Sequence, residues 1–225
     1  MMTRLFFFFL LSVMCLPLSA QLTAGLKVQS GKAWLDYTFA EGVPPIDGYN
    51  QRITHQGVSA ELFYQLQNPR LQVGIAPGYV QRGAACEPGF IGDNVFLVAD
   101  ATIYANYVQV PVLLRYSPIV KKRFSLFTQI GGGLGYLLSG YRDVSFWQPD
   151  RPNEEQALIF ENEPTLNRLE LGLQGGLGIS YQLGPGQLQL SGDFYYGLTD
   201  MNQNFGSQHR VWSVGLGYAI RLSPQ

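Results

Sequence analysis

The 225 residues are 46% hydrophobic and 14% charged, where an ordinary soluble domain carries roughly 25% charged residues. The formal net charge is -1, so a highly charged disordered chain is excluded and no basic footprint for nucleic acid exists. Twenty-six glycines, 13 tyrosines and 14 phenylalanines favour one β-rich domain with many turns over a helical bundle.

The chain opens as a secretory signal. Arg4 is followed by an apolar run from Leu5 to Leu18 and by Leu18-Ser19-Ala20 ahead of Gln21. The run is shorter than the roughly 20 residues a spanning helix needs, and the small residue at Ala20 suits a peptidase. Residues 1–20 are therefore expected to be removed between Ala20 and Gln21, leaving 21–225 as a single barrel domain. A lipoprotein site at Cys15 is disfavoured by Met14 before it. Cys86 is then alone, so no internal disulfide is available to the exported chain.

From Leu22 onward apolar residues recur at every second position, the period of a strand with unlike faces. Eight such sets follow in chain order. They run from Leu22 to Val28, Val58 to Leu66, Leu71 to Ile75, Val108 to Tyr116, Leu126 to Leu138, Leu169 to Leu183, Leu188 to Tyr196, and Trp212 to Leu222. Their connections sort by parity. Segments 67–70, 117–123 and 184–186 are short, whereas 30–57, 81–102, 139–167 and 199–209 are longer. That alternation predicts an all-β, eight-stranded antiparallel up-and-down transmembrane β-barrel, with short periplasmic turns and longer extracellular loops.

The charges decide which face is wet. The apolar sets contain no Asp, Glu, Lys or Arg, while the opposite sets hold Lys27, Glu61, Arg115, Glu170, Asp193 and Arg221 among Gln, Ser, Thr and Gly. A soluble barrel would need a densely charged exterior, so the sparse polar set is read as the interior and the apolar set as facing lipid. Three cations and three anions sum to zero and are expected to form an internal network. A charge left unpaired away from water costs several kcal/mol, on the order of the stability of the whole fold. Eight strands enclose only their own side chains or one small ligand, so an open pore is not expected. Tyr64, Tyr79, Tyr107, Tyr116, Phe124, Tyr136, Tyr181 and Trp212 are candidates for interfacial girdles. Gly131, Gly133 and Gly135 are expected beside Gly172, Gly176 and Gly178, making room for bulky inward groups such as Phe63 and Tyr195. Pro111, inside a strand, predicts a bulge beside it.

Residues 106–116 (NYVQVPVLLRY) resemble a strand of the PorT-like outer-membrane β-barrel family, with Tyr107, Pro111, Arg115 and Tyr116 matching. Segments 129–136 (QIGGGLGY), 171–181 (LGLQGGLGISY) and 195–200 (YYGLTD) are similar to its glycine-rich strands. The resemblance implies an outer-membrane barrel of a Gram-negative bacterium and, from one member, an accessory part in type IX protein secretion. The end of the chain departs from the usual terminal aromatic, although Gly215, Tyr218 and Ile220 resemble the pattern read by the barrel assembly machinery.

Little points to catalysis. His55 and His209 are placed in or beside loops without a fixed partner, and neither a metal-ligand spacing nor a phosphate-binding loop occurs. Enzyme activity, a cofactor and a metal are therefore not expected. The third long loop carries Asp143, Asp150, Glu154, Glu155, Glu161 and Glu163 against Arg142 and Arg151; it is read as a solvated acidic loop before a cation site. The functional expectation is a structural or partner-binding protein set in outer-membrane lipid, with Phe90, Phe146, Trp147 and Phe160 among residues able to touch a protein partner. The alternative is a soluble exported lipocalin-like barrel holding a small apolar ligand.

Overall fold

The computed structural model describes residues 22–38, 51–86, 89–91, 96–146, 154–157, 166–201 and 206–222. They form strands β1 (Leu22–Thr38), β2 (Ile53–Gln65), β3 (Leu71–Ile75), β4 (Gly78–Cys86), β5 (Gly89–Ile91), β6 (Phe96–Val120), β7 (Phe124–Phe146), β8 (Glu154–Ala157), β9 (Leu169–Leu183), β10 (Gly186–Gly197) and β11 (Gly206–Arg221). No helix occurs among the described residues.

All pairings are antiparallel, and the last strand closes on the first: Leu26 faces Tyr218 across β1 and β11. The ring holds eight strands, with β3 and β4 acting as one, because both keep the same register against β2 and β6. β5 and β8 are short ribbons on the extracellular extensions of β6 and β7. Passing from partner to partner around the ring, Lys32 leads through Trp212, Phe194, Gly175, Ile130, Leu114, Val73 and Tyr64 to Leu22 on the same first strand. That stagger tilts the strands by roughly 40° from the barrel axis, the range in which eight strands close around packed side chains.

The three tight connections have local causes. Gly184 takes φ +60° in the two-residue link before β10, a conformation glycine adopts without a Cβ penalty and one that matches the twist of paired strands. At the β6–β7 turn Lys121 and Phe124 exchange backbone hydrogen bonds. Between β2 and β3, Leu71 N donates to Asn68 O and Leu66 N to Leu71 O. The long strands extend well past the expected ends. β6 and β7 continue to Phe96 and Phe146 through segments read in sequence as loop, with Tyr104 stacked on Tyr141 at 4.6 Å.

The bulge expected beside Pro111 is absent: Pro111 pairs Gly133 without a register shift, and the nearest irregularity lies between Asn106 and Tyr107. The effect of the proline falls instead on the neighbouring strand, where Ala76 and Pro77 interrupt β3 and β4. Ala76 N still donates to Pro111 O at 3.1 Å, and Ala60 N to Pro77 O at 2.9 Å. Each proline forfeits only the reciprocal bond that its missing N–H would have made, so the register survives.

Side chains alternate as the pleat requires. Leu26, Val110, Leu134, Leu173, Leu190 and Leu216 point outward and are exposed. Of the expected girdle, Tyr79, Tyr116, Phe124, Tyr136, Tyr181 and Trp212 are exposed and Tyr64 is half-buried, but Tyr107 is buried inside. Its odd position on β6 shares the inward face with Gln109, Leu113 and Arg115, so parity overrides its aromatic character.

Candidate functional site: the barrel interior

The interior is filled in layers. Nearest the periplasmic end, Lys27 Nζ on β1 donates to Asp193 Oδ2 on β10 at 2.6 Å, and Ser191 Oγ reaches the same oxygen at 2.8 Å. Gln129 Nε2 on β7 donates to Asp193 Oδ1 at 2.7 Å. Gln129 Oε1 in turn accepts from Arg115 Nε and Nη2 at 3.2 and 3.0 Å. Arg115 also donates to Gln189 Oε1 at 3.3 Å and to Glu61 Oε2 at 3.3 Å. Five strands thus meet in one connected chain of two cations and two anions, all buried. The guanidinium plane lies between two rings, 3.8 Å from the centroid of Phe63 and 4.4 Å from that of Phe127. Glycines opposite those rings provide the space: a Cβ on Gly74 or on Gly178 would overlap Phe63 or Phe127 respectively.

A second layer lies nearer the extracellular end. Arg82 Nη1 on β4 donates to Glu170 Oε2 on β9 at 2.9 Å, and its Nη2 bonds the Gln109 side-chain oxygen. The same guanidinium sits 3.7 Å over the ring of Tyr195, which occupies the space left by Gly172. His209 Nδ1 is 3.2 Å from Glu170 Oε1, within ion-pair range but outside hydrogen-bond alignment, and its ring stands edge-on to Tyr107. His55 lies between Gln81 O, 2.6 Å from Nδ1, and Gln29 Nε2, 3.2 Å from Nε2. One tautomer satisfies both contacts, with Nδ1–H donating to the carbonyl and Nε2 accepting from the amide. Around this layer and towards the extracellular end Leu35, Val80, Ala84, Ala105, Tyr107 and Leu137 pack with Met201, and Leu166 joins them from the connection before β9. Among the described residues these groups fill the interior, and the spaces beside Tyr195 are about 10 Å³ each, the size of one water.

Of the six inward charges named from sequence, Lys27 meets Asp193 and Arg115 meets Glu61. Glu170 is met by Arg82, and Arg221 stands apart, exposed at the end of β11 opposite Thr23. Arg221 has the inward parity but lies at the end of the strand, outside the enclosed volume, and is exposed. Arg82 is the cation that the sequence pattern does not single out, because the alternation breaks after Ile75 at Pro77. The signal was present in Ala76, Val80, Arg82 and Ala84 alternating with Pro77, Tyr79 and Gln81. His55 and His209, read as loop residues, are buried inside β2 and β11. Of the suggested partner-contact residues, Phe90 and Phe146 lie in β5 and at the end of β7. Trp147 and Phe160, like Asp150, Arg151, Glu161, Glu163 and the cleavage pair Ala20 and Gln21, lie outside the described residues. Glu154 and Glu155 belong to β8, which lines up against Val144 and Asp143.

An apolar outer wall, a closed ring and a solid, charge-balanced interior together define a transmembrane β-barrel rather than a soluble ligand carrier. The chain belongs to the outer membrane protein beta-barrel domain family, whose model matches residues 18–203, and it is thus a protein of the bacterial outer membrane. Among solved structures, Ail of Yersinia pestis, the attachment invasion locus protein crystallised with the heparin analogue sucrose octasulfate, is 14% identical over 89% of this chain and 99% of that one, with a TM-score of 0.39. The outer membrane protein OprG of Pseudomonas aeruginosa is 12% identical over 88% and 96%, with a TM-score of 0.43. The outer membrane protease OmpT of Escherichia coli is 8% identical over 91% and 99%, with a TM-score of 0.46. Comparison with curated proteins finds no significant match.

Proposed function

We propose that the protein is a closed, non-enzymatic outer-membrane barrel that acts through its extracellular loops, binding a partner there rather than conducting solute. The observation that carries this reading is the filled interior: Arg115 and Arg82 each bridge the lumen to an opposing carboxylate, and an apolar cluster with Met201 packs around Arg82 and towards the extracellular end. A conduit would have to break buried ion pairs to admit anything larger than a water. In this reading residues 1–20 direct export and are removed between Ala20 and Gln21, and the assembly machinery inserts residues 21–225. Kinship with PorT-like barrels, and with it an accessory part in type IX secretion, is supported by the strand motifs at 106–116 and 171–181.

The test combines three measurements on the full chain. Outer-membrane fractions should yield a band whose electrophoretic mobility changes on boiling. The purified protein should give no stepwise conductance in planar bilayers. A photo-crosslinker at Trp147 or Phe90 should capture one protein species in cells, and capture of a type IX component would define the finer role. Steady channel currents would refute the closed reading, and a freely soluble periplasmic protein would restore the lipocalin-like one.

A further inference from the structure

The outer wall is not uniform around the ring. On most strands the lipid-facing positions stay apolar or aromatic towards the extracellular rim, as at Val108, Leu138, Leu169, Phe194 and Trp212. On β1 and β2 they turn polar earlier. Beyond Val28 the outward series on β1 is Ser30 and Lys32, and beyond Val58 on β2 it is Gln56, Thr54 and then Arg52, all exposed. Lys32 faces Thr54 on one side and Trp212 on the other, so a cation stands level with an aromatic of the membrane interface. Arg52 precedes Ile53, the partner of Ala33, and its Cζ lies 5.0 Å over the Trp34 ring. Lys32 and Arg52 are thereby diagonal cross-strand neighbours, a spacing of about 7–8 Å between backbones that one tetrahedral anion spans with two long side chains.

Below these cations lies a groove of about 620 Å³ whose apolar lining is Val28, Val58, Tyr79, Val214 and Leu216, with Gln29, Gln56 and Gln81 also on its wall. The third cation of this strip, Arg210, is already engaged by Asp36 at 2.8 Å and by the carbonyl of Gly197. Among the described residues no carboxylate pairs with Lys32 or Arg52. A second copy of the chain is a poor occupant, since a two-fold contact across this strip would bring like charges together.

We propose that the β1–β2 strip is a binding site for a phosphorylated lipid of the outer leaflet, with an acyl chain in the groove and a phosphate held between Lys32 and Arg52. Thr54 and Gln56 supply neutral donors at the same depth and Trp212 flanks the headgroup with its amphipathic ring, while Trp34 Nε1 donates to Asp36 at 3.2 Å, a carboxylate that Arg210 neutralises. The guanidinium fork gives the paired contact to phosphate oxygens and Lys32 adds a point charge. The inference rests on residence in the outer membrane and not on the loop-based reading, so either can fail without the other.

The experiment is native mass spectrometry of the full chain in detergent, titrated with diphosphorylated lipid A. One bound lipid per chain is expected. The double variant K32Q/R52Q should bind about 30-fold more weakly, as expected for losing two surface cation contacts, while keeping its heat-dependent mobility because both residues are exposed. Dephosphorylated lipid A should bind the native chain as weakly, and inorganic phosphate at the same concentration should not displace the lipid. Equal binding by the double variant or by the dephosphorylated lipid overturns the proposal, as does displacement by inorganic phosphate or a lipid-excluding dimer on this face.

Discussion

Replacing Arg115 by Met is the sharpest perturbation of the interior. The guanidinium is buried between Phe63 and Phe127, and its donors serve Glu61, Gln129 and Gln189 at once. Methionine fills much of the same volume between the rings, so the packing loss is small and the electrostatic loss dominates. The Glu61 carboxylate is left buried without its cation, a situation that costs about 3–5 kcal/mol when one member of a buried pair is removed. The lost hydrogen bonds are contained in that figure, so the expected destabilisation is about 4 kcal/mol, on the order of a thousandfold in the folding equilibrium. The assay is reversible urea unfolding of the protein in lipid vesicles, followed both by tryptophan fluorescence and by the heat-dependent mobility of the folded band. The double variant E61Q/R115M removes the stranded charge and should regain about 2 kcal/mol, because a neutral buried group is less costly than a charged one. A loss below about 1 kcal/mol for R115M, or a double variant no better than the single one, would refute the view that paired charge holds the lower layer together.

Three further outcomes follow from the same geometry. Arg82→Met should cost several kcal/mol, about the scale of a broken buried pair, whereas Arg221→Gln should change stability by less than about 0.5 kcal/mol; both are read from the same unfolding curves, and equal effects would contradict the placement of the two arginines. Gly172→Ala should destabilise by about 1–3 kcal/mol because its Cβ would overlap the Tyr195 ring, while Gly192→Ala meets nothing within 4 Å and should be neutral in the same assay. Intact-mass measurement of the protein extracted from outer membranes should give a chain beginning at Gln21; a mass retaining residues 1–20 would refute the cleavage.

Much of the barrel was legible because a membrane wall imposes two constraints on every strand at once. Leu171, Leu173 and Leu177 alternate with Gly172, Gln174 and Gly176 since one set meets lipid and the other the lumen, and that period needs no tertiary knowledge to read. The parity of loop lengths is equally local. What was lost are features fixed by partners distant in sequence. The extension of β6 to Phe96 depends on pairing with β7, and nothing in the period marks where the bilayer ends and the paired ribbon continues into water. Arg82 was missed because Pro77 interrupts the pattern, although Pro77 and Pro111 lie against the same two-residue break and spare the register by losing one bond each. Parity gives the face of a strand and not the depth along it, so Arg221 shares the inward face without entering the enclosed volume.

The replacement of Arg221 by Arg82 in the interior leaves its sum of charge at zero, and this points to what selects the lumen's composition. Lys27, Arg82 and Arg115 are balanced by Asp193, Glu170 and Glu61 in three pairs that each cross between strands far apart in sequence. A neutral filler of leucines would close the barrel as well, but it would leave the inward face indistinguishable from the outward one, and a one-residue slip would then cost little. With charges inside, the same slip would place Lys27, Glu61 and Arg115 in lipid, at about 2–4 kcal/mol for each buried cation near the midplane. The polar lumen therefore fixes which face each strand turns to the membrane, and with it the register that sets where the extracellular ends of the strands stand around the ring.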